Sequence, residues 1–125
     1  QFLHTPRVPH YEAVLHVLRY LKGTVNKGLF YPQRNDLQVT AFCDADWGTC
    51  LMSARSLTGY CVFLGSSLIS WKTKKQKTVA KSTAEAEYRS MSATTSELEW
   101  ISYILHDLHM PVSLPITLYC DNKAA

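Results

Sequence analysis

Apolar and polar positions follow two different periods along the chain, and the first of them is helical. From Pro9 to Lys22, apolar side chains recur at positions 11, 14, 15, 18 and 21, which is the spacing of one helix face. Pro9 suits a first helical turn, and Gly23 suits the position just past the last turn. A short strand is predicted at residues 29–31, before a polar connector at 32–36. This segment carries no candidate chemistry.

The second period is that of strands. From Leu37 to Asp44, apolar and polar residues alternate, which predicts a strand ending in a carboxylate. Residues 59–64 and 68–71 predict two more strands, joined by a hairpin turn at 65–67. A loop rich in lysine follows. The segment Ser82-Thr83-Ala84-Glu85 has capping-box spacing and opens a predicted helix to about Leu108, with an interruption near residues 94–96 left open. A last strand is predicted at 116–121.

The order strand, hairpin, helix, strand allows the last strand to lie parallel to the first through a right-handed crossover. Parallel neighbours end at the same edge of a sheet. We therefore expect Asp44 and Asp121 side by side, each preceded by a cysteine, with Cys43 and Cys120 sharing the opposite face.

A third acid comes from the helix. At 100° per residue, Glu87 falls within the apolar stripe formed by Met91, Leu98 and Leu105, whereas Glu85 falls on the opposite side. A single glutamate in such a position is more often a partly exposed residue at the edge of the stripe. Three converging carboxylates favour a functional role for Glu87 over this interpretation, because like charges so close together need a counter-charge. Oxygen ligands without histidine or thiolate partners favour Mg²⁺ or Mn²⁺.

Composition limits the alternatives. A chain of 125 residues supplies at most one complete domain, and no apolar run is long enough to span a bilayer. The net charge of +3 is uneven, because residues 72–81 hold five lysines and no acid. Such a stretch is as typical of a solvated loop as of a surface that binds a polyanion. The four cysteines lack the spacing of zinc sites, and they indicate a reduced, intracellular protein.

Five motifs, in order, carry a family resemblance. They are FCDADW (42–47), SLTGYCVFLG (56–65), ISWKTKKQ (69–76), STAEAEY (82–88) and YCDN (119–122). Together they resemble the ribonuclease H domain of copia-type retrotransposon Pol polyproteins. YLKGT (20–24) resembles the end of the reverse transcriptase region before it. The resemblance implies a division into residues 1–36, the end of the reverse transcriptase region, and residues 37–125, a partial ribonuclease H-like domain.

The resemblance also implies a fold and an activity. The fold is α/β, a ribonuclease H-like mixed sheet with flanking helices, ending after the fourth strand. Asp44, Glu87 and Asp121 match the family's catalytic and metal-binding acids, which would hold two Mg²⁺ ions, with Mn²⁺ as a substitute. The substrate would be the RNA strand of an RNA–DNA hybrid, contacted by basic residues: Lys72, Lys74, Lys75, Lys77, Lys81 and Arg89. The implied partners are the hybrid and the rest of the Pol polyprotein, with no membrane, and the implied location is cytoplasmic virus-like particles.

Two departures from the family pattern bear on activity. The family's fourth carboxylate follows the YCDN strand, so a chain ending at Ala125 is expected to lack it, to be poorly stable and to cleave weakly. The loop after Trp47 lacks the acid and one arginine of the family pattern, as in a decaying copy. A catalytically dead remnant that only binds nucleic acid is therefore a second interpretation. A third is a ribonuclease H-like integrase or resolvase, which motifs 56–65 and 69–76 disfavour.

Overall fold

The computed structural model describes residues 2–110 and 112–121, which divide into two compact units, Gln1–Phe30 and Tyr31–Ala125. The first unit contains helix α1 (Val8–Lys22), as predicted, with proline in its first turn and Gly23 at its C-cap. The predicted strand at 29–31 is wrong: these residues form no regular element, and Leu29 and Phe30 are exposed. Three residues without a neighbouring strand have no ladder of hydrogen bonds to hold them extended.

Residues 31–36 belong to the second unit, although the sequence motifs suggested a boundary after residue 36. The Tyr31 hydroxyl donates to the backbone oxygen of Leu68, and the Asn35 amide donates to the backbone oxygen of Leu64 at 2.6 Å. These contacts explain why the compact unit begins before the first strand. The boundary after residue 36 between the reverse transcriptase region and the ribonuclease H-like domain stays a prediction.

The second unit is an α/β fold built on one mixed sheet. Its elements are β1 (Val39–Asp46), β2 (Leu57–Leu64), β3 (Ser67–Lys75), α2 (Thr83–Asp107) and β4 (Thr117–Cys120). The strand order is β3-β2-β1-β4, with β1 antiparallel to β2 and parallel to β4. This arrangement confirms the predicted α/β class, which is consistent with a ribonuclease H-like fold.

Helix α2 covers one face of this sheet. On β1 every second residue, from Val39 to Ala45, is buried, and the residues between them are exposed or half-buried. Val39 and Ala41 pack with Val62 of β2 and with a stripe on α2 formed by Leu98, Ile101 and Leu105. The register sets Cys43 beside Cys120. The predicted alternation along β1, and the shared face of the two cysteines, are confirmed.

Helix α2 runs unbroken through residues 94–96, so the interruption left open there does not occur. Each hydroxyl of Thr94, Thr95 and Ser96 donates to the backbone oxygen four residues earlier, so these polar side chains are satisfied within the helix. At the N-terminus, Ser82 accepts from the Glu85 backbone N–H, but the Glu85 carboxylate accepts from Lys81 rather than Ser82. Only half of the predicted capping box therefore forms.

The lysine-rich stretch is partly strand rather than loop. Strand β3 extends to Lys75, so that Lys72 pairs with Tyr60 and Lys74 with Thr58 on β2. The Gln76 backbone N–H continues the pairing by donating to Ser56. Pairing with a long neighbouring strand outweighs the low strand propensity of lysine. Lys77 and Lys81 remain in the connection to α2.

Candidate metal centre and basic cavity

Glu87 is the buried acid of the site. It lies one turn into α2 and is only 3% exposed, between the small residues Ala86 and Ser90 of the packed stripe. Burial is the largest cause that raises its pKa, and the negative charges of Asp44 and Asp121 raise it further. Hydrogen bonds from the Cys120 thiol and the Ala45 backbone N–H act in the opposite direction. The prediction that Glu87, rather than Glu85, faces the sheet is confirmed.

Asp121 and Cys120 meet Glu87 at the end of β4. The Sγ of Cys120 lies 3.5 Å from Oε2 of Glu87. One ligand atom each from Glu87, Cys120 and Asp121 lies within 4.8 Å of the other two. Asp121 directly follows β4 and is exposed, so the group opens to solvent on one side.

Asp44 adjoins this group without being a member of it. Its carboxylate accepts a hydrogen bond of 2.8 Å from the Ala45 backbone N–H, the same group that also bonds to Glu87. The buried hydroxyl of Ser90 donates to the Asp44 backbone oxygen at 2.7 Å, which ties β1 to α2 at this residue. Asp44 is close enough for its charge to raise the pKa of Glu87. Strand β1 also runs two residues past Asp44, to Asp46, instead of ending there.

These three acids have the character of a cation site. In the described part of the chain, no lysine or arginine forms an ion pair with any of them. A carboxylate held in a buried position beside two others is costly unless a cation compensates the charge. Carboxylate oxygens are the ligands that Mg²⁺ and Mn²⁺ prefer. The residues present therefore fit a divalent ion.

A basic cavity of about 430 Å³ lies between β2, β3 and a different side of α2. Most of the predicted nucleic-acid-binding residues line it: Lys72, Lys74, Lys75, Lys77 and Arg89. Lys81 is exposed but is not part of this lining. Tyr60, Gln76 and Glu97 are among the other polar residues that line it, and the Glu97 carboxylate accepts from Ser70 at 2.7 Å.

The cations around the cavity differ in how far they are already engaged. Arg89 forms an ion pair of 2.6 Å with Glu85, and it also donates to Thr78. Lys75 is half-buried, with its Nζ 3.5 Å from the Sγ of Cys50. Lys72, Lys74 and Lys77 are exposed. These three are therefore the residues best able to give their charge to a bound anion.

Sequence reasoning missed three residues of the site. Ser90 and Thr94 are fully buried in the packed stripe. Sequence reasoning missed them because a hydrophobic pattern counts only apolar residues as part of a stripe. The sequence pattern places Cys120 with Cys43 on one face of the sheet and gives it no ligand role, although Cys120 directly precedes the candidate metal ligand Asp121. The contact between Cys120 and Glu87 depends on how α2 packs against β4, which the sequence pattern does not specify.

Comparison with known proteins gives the family. The chain is 45% identical, over all 125 residues, to the retrovirus-related Pol polyprotein from transposon RE1 of Arabidopsis thaliana. The chain belongs to the retrovirus-related Pol polyproteins of transposons. Within this family it is also 46% identical over its full length to the Pol polyprotein from transposon RE2 of the same plant, and 35% identical to that from transposon TNT 1-94 of Nicotiana tabacum.

This Pol region spans 8% to 9% of the length of these relatives. No protein-family model and no solved structure matches it. The predicted membership of a retrotransposon Pol polyprotein is thus confirmed. In the described residues, no helix is long and apolar enough to cross a membrane.

Proposed function

We propose that this Pol region is a ribonuclease H domain that hydrolyses the RNA strand of RNA–DNA hybrids during reverse transcription. In this proposal Asp44, Glu87 and Asp121 are the catalytic acids and hold two Mg²⁺ ions, for which Mn²⁺ can substitute. The observation that carries the proposal is the buried Glu87 carboxylate. It lies in one cluster with Asp121, and it accepts a hydrogen bond from the Ala45 N–H, which also donates to Asp44.

Each acid has a distinct structural support for this role. Glu87 is held by its burial and by the Ala45 N–H, so its carboxylate stays in place as the charge around it changes. Ser90 fixes the backbone of Asp44 against α2. Asp121 is exposed, so it can reach a phosphate that approaches from solvent. Ions bound there would supply an activated water for in-line attack and would stabilise the leaving 3′ oxygen.

The basic cavity supports a polyanionic substrate. Lys72, Lys74 and Lys77 offer exposed charges to backbone phosphates, which bind without regard to base sequence. A hybrid would be recognised by its shape and by the RNA 2′-hydroxyl groups. The rest of the Pol polyprotein, including its reverse transcriptase, would supply the substrate, and we propose cytoplasmic virus-like particles as the location.

The test measures cleavage of the RNA strand of a labelled hybrid by the purified chain with Mg²⁺. Glu87→Gln and Asp44→Asn should each lower the cleavage rate by at least roughly a hundredfold, because each removes a direct metal ligand. Glu99→Gln is the matched control, since Glu99 is exposed on the same helix and bonds only to Tyr103 in the described contacts. Equal cleavage by the wild type and Glu87→Gln would contradict the proposal.

A second candidate function is hybrid binding without cleavage, which the basic cavity favours by itself. It predicts that the wild type binds hybrid and that added Mg²⁺ produces no cleaved RNA. The first function predicts instead that Asp44→Asn binds hybrid nearly as well as the wild type but does not cleave it. Binding measured by fluorescence anisotropy on the same samples separates the two.

A further inference from the structure

We propose that Glu87, Cys120 and Asp121 form a binding site for a thiophilic divalent ion of the Zn²⁺ type, with the Cys120 thiolate as one ligand. This inference deepens the proposed function, since two of its ligands are the acids assigned to Mg²⁺. It differs from that assignment in the third ligand, which is sulfur. The consequence is regulatory: a thiophilic ion would occupy the acids and stop cleavage.

The distances suit a tetrahedral ion. Zn²⁺ binds carboxylate oxygen at about 2.0–2.2 Å and thiolate sulfur at about 2.3 Å, which sets neighbouring ligand atoms roughly 3.3–3.8 Å apart. The Sγ of Cys120 and Oε2 of Glu87 are 3.5 Å apart, within that range. The third ligand atom, from Asp121, lies within 4.8 Å of both and sits at the exposed end of β4, where a small movement can close the group.

The backbone fixes two of the three ligands before any ion binds. Glu87 is held on α2 by burial, and Cys120 is held on β4 by its register with Cys43 of β1. Cys43 is buried and hydrogen-bonded to Cys120, so it limits the orientations of the Cys120 thiol. Three protein ligands with one open side are the arrangement in which Zn²⁺ keeps a water as its fourth ligand.

Ligand chemistry then separates the two kinds of ion. Mg²⁺ prefers oxygen and gains little from a thiol, so Cys120 is not one of its ligands. Zn²⁺, Cd²⁺ and Co²⁺ accept sulfur, and binding displaces the Cys120 proton to solvent as the sulfur–metal bond forms. One set of side chains therefore offers an all-oxygen site to a hard ion and a mixed sulfur–oxygen site to a soft one.

The experiment titrates the purified 125-residue chain with Co²⁺, without nucleic acid, and follows the near-ultraviolet charge-transfer absorption that reports a cobalt–thiolate bond. The wild type should show this band, and Cys120→Ser should lose it. Competition with Cd²⁺ gives affinities: Cys120→Ser and Asp121→Asn should each weaken Cd²⁺ binding by roughly tenfold or more. Asp121 is exposed, so Asp121→Asn tests the site even if Cys120→Ser folds poorly.

Two other cysteines provide controls. Val62 packs in the core under α2, and its neighbour Cys61 lies on the opposite face of β2. Cys61→Ser should therefore keep the band. Cys50 is the thiolate most able to mimic the result, because hydrogen bonds led by that with Ser53 lower its pKa to about 7. Cys50→Ser should also keep the band. A band that survives in Cys120→Ser, or is lost in Cys50→Ser, overturns the proposal.

The outcome is independent of the nuclease assignment. If the cobalt–thiolate band depends on Cys120 but no RNA is cleaved, the thiophilic site stands and the proposed function fails. If RNA is cleaved with Mg²⁺ but the wild type shows no band, the nuclease stands and the thiophilic site fails.

Discussion

At the residue scale, the side chain with the greatest consequences is Glu87. Its position within a packed stripe costs free energy, because a buried carboxylate loses solvation and faces the charges of Asp44 and Asp121. The hydroxyl of Ser90, on the same stripe, fixes the neighbouring Asp44 backbone. Glu87 therefore lowers the stability of the fold at the site proposed to be catalytic, whereas the Ser90 hydrogen bond stabilises the fold there.

We predict that the amount by which Glu87 destabilises the folded protein depends on pH. Its pKa is raised in the folded protein, so the folded state binds its proton more tightly than the unfolded chain does. The resulting stability is present below the ordinary glutamate pKa of about 4.3 and is lost as pH rises through the folded pKa. Glu87→Gln, which keeps the shape without the charge, should therefore unfold at a higher temperature than the wild type at neutral pH.

Thermal melts at neutral and acidic pH check this prediction. The advantage of Glu87→Gln should shrink in acid, and added Mg²⁺ should reduce it at neutral pH by stabilising the wild type. Glu99→Gln, on the exposed side of α2, should show little change in either condition. A Glu87→Gln variant that is less stable at neutral pH would contradict the assignment of Glu87 as a destabilising charge.

We also predict that Ser90→Ala affects cleavage more than folding. The substitution removes one hydrogen bond to the Asp44 backbone, which costs about 1 kcal/mol of unfolding free energy. It also frees Asp44 relative to Glu87, so the cleavage rate with Mg²⁺ should fall. Ser92→Ala, at an exposed position of the same helix, is the control. Equal cleavage rates for the two variants would show that Ser90 has no positioning role.

At the element scale, the turns of the second unit impose distinct demands on glycine. Gly65, in the β2–β3 turn, has φ of +56°, and a Cβ there would overlap the backbone oxygen of Asp36 and the side chain of Asn35. Gly48, after β1, has φ of +65° but open space around it. The two positions share a positive φ, which would strain any residue with a Cβ, and they differ in crowding.

Alanine at these two positions should separate the two effects. Gly48→Ala should lower the free energy of unfolding by about 1 kcal/mol, the cost of a left-handed conformation for a residue with a Cβ. Gly65→Ala should cost more, about 2–3 kcal/mol, because the 31–36 segment must also move. Urea denaturation of both variants measures the difference. Equal losses would mean that the 31–36 segment adapts freely to the turn.

At the scale of the whole molecule, charge is distributed unevenly. Glu87 and Asp121 lie where α2 meets the end of β4, with Asp44 of β1 beside them, whereas five of the cations line a cavity beside β3 and another side of α2. In the proposed function, the cations would hold the substrate backbone, while the scissile phosphate would approach ions held by the acids. Affinity for such a ligand comes largely from released counterions.

We predict that hybrid binding depends strongly on salt through Lys72, Lys74 and Lys77. Each substitution by alanine should weaken binding and reduce the slope of log affinity against log salt by roughly 0.7–0.9. Lys27, an exposed residue of the first unit, provides the control as Lys27→Ala. Anisotropy titrations at several salt concentrations measure the slopes. Unchanged slopes in all three variants would show that the cavity is not part of the hybrid-binding surface.

Much of this protein is determined by local sequence. The alternation along β1 and the helical stripe with Glu87 inside it follow from periods of two and 3.6 residues, because side-chain direction repeats with the backbone. The tertiary structure decided the rest. Lysines are part of β3 because β2 pairs with it and accepts and donates the backbone hydrogen bonds. Residues 29–31 are irregular because they have no such partner strand. Only the packing of α2 against the sheet brought the Cys120 sulfur of β4 to Glu87, since contact between distant residues depends on tertiary packing and not on local periodicity.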